Sequence, residues 1–299
     1  GSAGSRSPPV SRERQHASWV IARAQLKELL LSPGPYIALA AGLALGWALC
    51  SGFAQAVDSS GFDPRLDPTW DFLTRAFSGA FGPVFVERLL AEGPFLLVFA
   101  VSAAPLLLLL VMGTVVRLGA DTASGAVELV ACGPADGTSW FLGSFLKDAI
   151  VSAAGLAVIG LHGLLLAGVR NLAVGPMAAA ALPVMLLLSF ALSALGILCS
   201  VVVRNAGGAL AVFAAVCALF LAALAGLLGT SVSMLRAGAQ AVSSVIQWVS
   251  PFYYARLCAE GYGGGSGTEY AAGLVLLAAL AAAMLGTGHV TIRRRGVRP

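Results

Sequence analysis

The sequence predicts an all-α membrane protein whose chain crosses the bilayer six times. Hydrophobic residues make up 58% of the chain, charged residues only 11%, and the mean hydropathy is +0.88, which is far above ordinary soluble domains. A hydrocarbon core of about 30 Å needs about 20 apolar residues of helix. Runs of that length lie at about 35–57, 94–116, 149–169, 177–203, 206–229 and 269–292.

The segment before the first run predicts a separate helix at the membrane surface, over residues 16–32. In "ASWVIARAQLKELLLSP", apolar residues that include Trp19 recur at helical spacing, and Arg23 and Lys27 stand beside that face. Such an amphipathic helix lies in the plane of the interface. Two interpretations stay open, namely a basic membrane anchor and a docking helix for a partner. Residues 1–15 are expected to be a disordered arm or, at "GSAGS", a remnant of cloning.

The distribution of basic residues predicts the orientation. Most Lys and Arg residues flank loops that share a side with both termini, and the tail 293–299 is strongly basic. The longest loop on the opposite side, 58–93, holds more acidic residues than arginines. Because basic flanks are retained in the cytoplasm, both termini are expected there. The net charge of +4 reflects this pattern and does not indicate a nucleic-acid partner.

The sequence shows no motif for catalysis or metal binding. The two lysines, Lys27 and Lys147, belong to no P-loop, so the chain is not expected to bind or hydrolyse ATP itself. The histidines are scattered, and no metal or other cofactor is expected. His162 is interpreted as a polar residue bonded across helices, with a pathway-lining role as the alternative. No predicted span holds paired carboxylates or a charge in its interior, so energy for any transport is expected to come from outside the chain.

The cysteines predict no disulfide framework. Three of the five lie in predicted spans, Cys132 lies on the cytosolic side, and Cys258 is expected to face outward.

A turn-rich segment, "SGAVELVACGP", lies between the second and third runs. We expect a short cytosolic helix within 119–139, with Asp121 or Ser124 capping its start and Gly133–Pro134 ending it. Glu128 would project into the cytosol. The alternative is a solvated loop, which explains the turn residues but leaves the neighbouring apolar side chains, Val127, Leu129 and Val130, in water.

Several pieces of the chain resemble the permeases of ABC-2 type transporters. "VVRLGADTASGAVELVACGPADGTSWFLGSFLKD" resembles the stretch after their second span, and "LKELLLSPGPYIALA" the start of their first span, especially in the gliding-motility-associated branch. "LGILCSVVVRNAGGALAV" resembles their fourth-to-fifth span junction, and "VSPFYYARLCAEG" the outer segment before the sixth. The pieces occur in the family's order and cover most of the chain.

The resemblance implies an ABC-2 (type V exporter-like) permease fold over residues 35–292, in the inner membrane of a bacterium. It implies that residues 119–139 form a coupling helix, which sits in a groove of a separate ATPase subunit that binds ATP and Mg. Transferred to this chain, the coupling interface comprises Asp121, Ser124, Gly125, Glu128, Leu129 and Pro134. The expected function is therefore ATP-driven transport, most simply export.

Small residues recur at every fourth position in two spans, where they allow close helix approach. Gly42 and Gly46 lie in the first span, and Ala214, Ala218 and Ala222 in the fifth. Either stripe could pack inside the subunit. In the resembling family these spans meet a second permease, which favours a dimer with another copy or a paralogue.

Two other functions stay open. The chain could be a structural or mechanotransmission subunit that passes ATP-driven movement to an extracytoplasmic accessory protein. It could also be a passive or ion-coupled carrier.

Overall fold

A computed structural model of the chain describes residues 10–60, 68, 71–72, 75, 78, 95–125, 137–172, 174–203, 205–224 and 244–295. Within these residues the main regular elements are helices, numbered here α1 to α8. They are α1 Val10–Leu31, α2 Gly34–Ser60, α3 Phe95–Ala123, α4 Gly137–Val169, α5 Met177–Val203, α6 Ala206–Leu224, α7 Pro251–Gly263 and α8 Gly267–Arg295.

Six of these helices, α2 to α6 and α8, are long and apolar enough to cross a bilayer. The prediction of an all-helical membrane protein with six span-length helices is therefore confirmed. α1 is the separate helix predicted before the first span, although it begins at Val10, within the expected arm.

Two helices extend beyond their predicted spans at the ends that flank the turn-rich segment. α3 continues past Val116 to Ala123, and α4 begins at Gly137 instead of Ala149. The predicted spans stopped where polar and charged residues began. The helices continue because those residues find partners within the protein, as described below.

α3 lies at the centre of the bundle and packs against α2, α4, α5 and α6. α5 packs against α3 and also contacts α7 and α8. Buried residues of α3 and α4, among them Phe99, Leu106 and Ile159, form one core cluster. A second cluster joins Val115 of α3 to Phe213 of α6 and to residues of α5 and α8. The apolar faces of the long helices are thus covered mainly by one another.

Parts of α1, α4 and α8 meet at one end of the bundle. Ile21 of α1 contacts Gly143 near the start of α4, and Gly288 near the end of α8 lies against Phe141. We call this the α1 end. At the opposite end, Arg170 after α4 donates to Ser51 Oγ of α2 at 3.1 Å. The middle of α1 and the C-terminal part of α8 therefore both contact the first turns of α4.

Candidate functional site

The predicted coupling segment begins in the last turn of α3. Asp121 is helical, and Ser124 and Gly125 form a turn after the helix. Ser124 Oγ donates to the Asp121 carbonyl oxygen at 3.3 Å, and Gly125 has a φ of 74°. A left-handed glycine just beyond a helix is a common C-terminal stop. Asp121 lies inside α3 and therefore does not cap a new helix. Ser124 follows α3, and the helix that it is expected to cap would lie in residues 126–136, outside the described residues, so that part stays a prediction.

Glu128, Leu129, Gly133 and Pro134 lie outside the described residues, between Gly125 and Gly137. Their assignment to a coupling interface therefore stays a prediction.

α1 packs along the first part of α4 and joins α3 through an ion pair. Arg117 Nη2 donates to Glu28 Oε2 at 2.7 Å. Arg117 Nε also lies 3.9 Å from Asp121 Oδ2. Arg117 thus places α1 next to the helix turn that leads into the predicted coupling segment. A displacement of that turn would therefore be transmitted to α1 through the Arg117–Glu28 ion pair.

The packing face of α1 differs from its predicted apolar face. Ser18, Ala22 and Gln25 are buried, whereas Trp19 is half-exposed. The side chains of Arg23 and Lys27 are exposed, together with the large apolar residues Val20, Leu30 and Leu31. The small and polar face therefore contacts the bundle, and the outer face carries apolar and basic residues together. This outer face suits either open interpretation, a membrane anchor or a docking helix.

A buried charged cluster joins α3 to α4. Lys147 and Asp148 are 5% and 0% exposed, and Lys147 Nζ lies 2.9 Å from Asp148 Oδ1. Lys147 also donates to Thr114 Oγ1 of α3 at 2.8 Å, and Thr114 donates to Asp148 Oδ1 at 2.9 Å. The predicted third span began just after this pair, at Ala149, whereas the span-length helix α4 contains it.

The cluster is electrically balanced but incompletely bonded. Lys147 and Asp148 cancel each other's formal charge, while Asp148 Oδ2 is buried with no hydrogen-bond partner among the described residues. Removing one member of such a pair would leave an uncompensated buried charge. The sequence contains a pattern that could have predicted this buried polar cluster. Polar residues recur every fourth position at Ser144, Asp148 and Ser152, and all three are buried.

The two small-residue stripes have different surroundings. A methyl group placed on Gly42 would overlap the backbone oxygen of Ser102 in α3, and one on Gly46 would lie 2.9 Å from Ser102 Oγ. The geometry thus favours internal packing for the glycine stripe. Ala214 and Ala218 are exposed, and Ala222 is half-buried. The alanine stripe on α6 is therefore the one open to a second subunit.

Two other polar residues differ from their expected surroundings. His162 lies beside Gly46 at half-burial, and its Nε2 atom has no hydrogen-bond partner in the described part of the chain. Cys258, expected to face outward, is fully buried on α7 against Gly273 of α8. Burial raises the pKa of its thiol to about 11.

No known protein family, curated protein or solved structure matches this chain. The class that the fold defines is a helical membrane protein with six span-length helices.

Proposed function

We propose that the chain is the permease subunit of an ATP-binding cassette exporter, driven by a separate ATPase that engages residues 119–139. The sequence resemblance supports this function, and so do the six span-length helices. The main structural support is the length of the two helices on either side of that segment.

α3 and α4 extend well past the level at which the first span-length helix, α2, begins. A methyl group at Gly34, the start of α2, would touch Leu109 of α3 at 3.5 Å. From Leu109 to Ala123, α3 continues for about 20 Å at about 1.5 Å per residue. α4 contains 33 residues and is about 50 Å long, well beyond a hydrocarbon core of about 30 Å. This length supports the proposal, since helix ends that project beyond the bilayer would be accessible to a water-soluble partner at residues 126–136.

The contacts at the α1 end would carry movement from such a partner into the bundle. Thr114 binds both members of the Lys147–Asp148 pair, so α3 and α4 are held together close to their projecting ends. Arg117 adds α1 to the same unit. A push on residues 126–136 would move these helices together, and a second permease at the α6 alanine stripe would provide the opposing wall of a transport pathway.

Glu128 gives the direct test of this function. If its carboxylate enters an ATPase groove, the loss of a desolvated charge partner would weaken binding by about 2–5 kcal/mol. The Glu128→Arg variant should then fail to copurify the co-expressed ATPase, while its membrane insertion stays normal. Asp136→Asn is the matched control at the other end of the segment. Wild-type recovery of the ATPase by Glu128→Arg, with full coupled transport, would contradict the proposal.

A second measurement separates export from force transmission. Purified complexes in lipid vesicles should accumulate cargo on one side when ATP is supplied, and candidate cargo should stimulate ATP hydrolysis. A complex that hydrolyses ATP only with an extracytoplasmic protein bound, and moves no cargo, would instead be a mechanotransmission subunit.

A further inference from the structure

A cavity of about 190 Å³ lies at the α1 end, between α1, α3 and α4. Leu29 of α1 and Leu109 and Leu110 of α3 form apolar walls, and Ser32 lies at the bend between α1 and α2. Leu109 lies beside Gly34, where the first span-length helix begins, so the cavity is level with the start of that helix. Its volume is several times the roughly 30 Å³ that one water molecule occupies in the liquid.

The remaining wall is polar and carries both charges. Gln25 and Glu28 of α1, Arg117 of α3 and Lys147 of α4 line it. Lys147 is 5% exposed, whereas the side chains of Arg117 and Glu28 are 34% and 67% exposed. The cavity therefore has an ammonium group deep inside and an ion pair at its mouth.

The unpaired side-chain amide of Gln25 indicates that the cavity binds a ligand. It is 3% exposed, yet its amide nitrogen and oxygen both lack a hydrogen-bond partner in the described residues. Buried polar groups without partners are costly and uncommon. Lys147 adds donor capacity, since its three N–H groups meet two acceptors, Asp148 and Thr114. The cavity thus contains unused donors and one unused acceptor.

The charge balance selects the kind of headgroup. Asp148 neutralises Lys147, and Arg117 already faces two carboxylates, Glu28 at 2.7 Å and Asp121 at 3.9 Å, so an anionic lipid would add an uncompensated charge. A zwitterionic headgroup would add no net charge. Its phosphate would accept from Lys147, Gln25 and Arg117, while a primary ammonium could donate to Glu28 or to the Gln25 oxygen. A quaternary ammonium has no N–H to donate.

We propose that this cavity binds the headgroup of a zwitterionic glycerophospholipid that carries a primary ammonium group, in the leaflet at the α1 end. The binding does not depend on the proposed ATPase partner. It would fix α1 to α3 and α4 through the lipid as well as through the Arg117–Glu28 pair.

Native mass spectrometry of the full chain tests the proposal, with phosphatidylethanolamine, phosphatidylcholine and phosphatidylglycerol as probes. We expect the ethanolamine lipid to remain bound about tenfold more than either other lipid. Gln25→Leu should abolish that preference. Glu28→Gln should bring the ethanolamine lipid down to the level of the choline lipid. Lys27→Gln, on the exposed side of the same helix, is the control and should bind as the wild type does.

If the wild-type chain retains the three lipids equally, that result alone overturns the proposal. Tighter retention of phosphatidylglycerol would overturn it too, because the site would then select negative charge. Free phosphoethanolamine should compete only weakly, since it lacks the acyl chains that lie along the apolar wall. Displacement of the lipid by equimolar phosphoethanolamine would indicate a site for a soluble ligand and would contradict a lipid site.

Discussion

Arg117 on α3 donates to Glu28 on α1 at 2.7 Å, across 89 residues of sequence. The pair joins the helix before the first span to the end of the helix that leads into the proposed coupling segment. Its side chains are partly exposed, 34% for Arg117 and 67% for Glu28. Its role is therefore more positional than stabilising, because exposed ion pairs contribute little free energy.

We expect Arg117→Gln to lower the free energy of unfolding by no more than about 1 kcal/mol, because water and salt screen this pair. Thermal unfolding of the purified protein at low and high salt measures the effect, which should shrink at high salt. Exchanging the two charges, with Glu28→Arg and Arg117→Glu together, should restore stability. A large loss that is independent of salt would show that Arg117 stabilises the fold in another way.

The six helices could be predicted from sequence because each is a long apolar run, and hydropathy alone detects such runs. The ends of α3 and α4 could not be predicted from the sequence. Lys147 and Asp148 looked like the edge of a span because isolated charges are expelled from the bilayer core. Their burial depends on Thr114, a residue 33 positions from Lys147, and no local pattern reveals that contact.

The small-residue stripes show a related limit. Spacing by four identifies a helix face that another backbone can approach closely, but not which helix approaches it. Gly42 and Gly46 meet Ser102 of the same chain, whereas Ala214 and Ala218 are left exposed. The covering helix is a property of the three-dimensional arrangement, so sequence alone left both alternatives open.

Gly42→Ala should destabilise the subunit itself, because the added methyl group would overlap the Ser102 backbone oxygen. Overpacking of this kind costs about 1–3 kcal/mol. Gly52→Ala is the matched control in the same helix, since a methyl group there meets nothing within 4 Å. It should be neutral, or stabilising by up to about 1 kcal/mol through helix propensity. Thermal unfolding of the two variants in one detergent gives the comparison; equal stability would contradict the close contact.

Ala218→Leu should leave the subunit stable and weaken its association with a second permease. The side chain is exposed on α6, so a larger residue meets no atom of its own chain that must move, but it would separate two closely packed helices. Crosslinking in membranes should show less dimer, with an unchanged unfolding temperature. If Ala218→Leu crosslinks as well as the wild type does, the interface does not lie at this stripe.

Cys258 should resist maleimide in the folded protein. It is fully buried, and burial raises the pKa of its thiol from 9.0 to about 11. The neutral thiol is thus favoured by folding; this contribution to stability is complete below about pH 9 and is lost as the pH rises through about 11. In a chain whose other cysteines are replaced by alanine, labelling at pH 7 to 9 should require unfolding. A cysteine at exposed position 264 should label readily, and similar rates at both positions would contradict the buried position.

The Lys147–Asp148 pair gives the sharpest test of how α3 and α4 are held together. Lys147→Met or Asp148→Leu alone should destabilise the protein by about 3–5 kcal/mol, because the remaining charge is buried without a counter-charge. Thr114→Val keeps the direct 2.9 Å contact between the charges and should cost about 1–2 kcal/mol, for the lost hydrogen bonds.

The double variant Lys147→Met with Asp148→Leu removes both charges and should recover most of the stability lost in the single variants, since apolar replacements of buried pairs are often neutral or better. Unfolding measurements on the wild type, the two single variants and the double variant, all in the same detergent, give the coupling energy between Lys147 and Asp148. If the double variant is as unstable as the sum of the single variants, the two charges do not compensate each other. α3 and α4 would then be held together by apolar packing alone, and the proposed path of movement from residues 126–136 would lose its polar link.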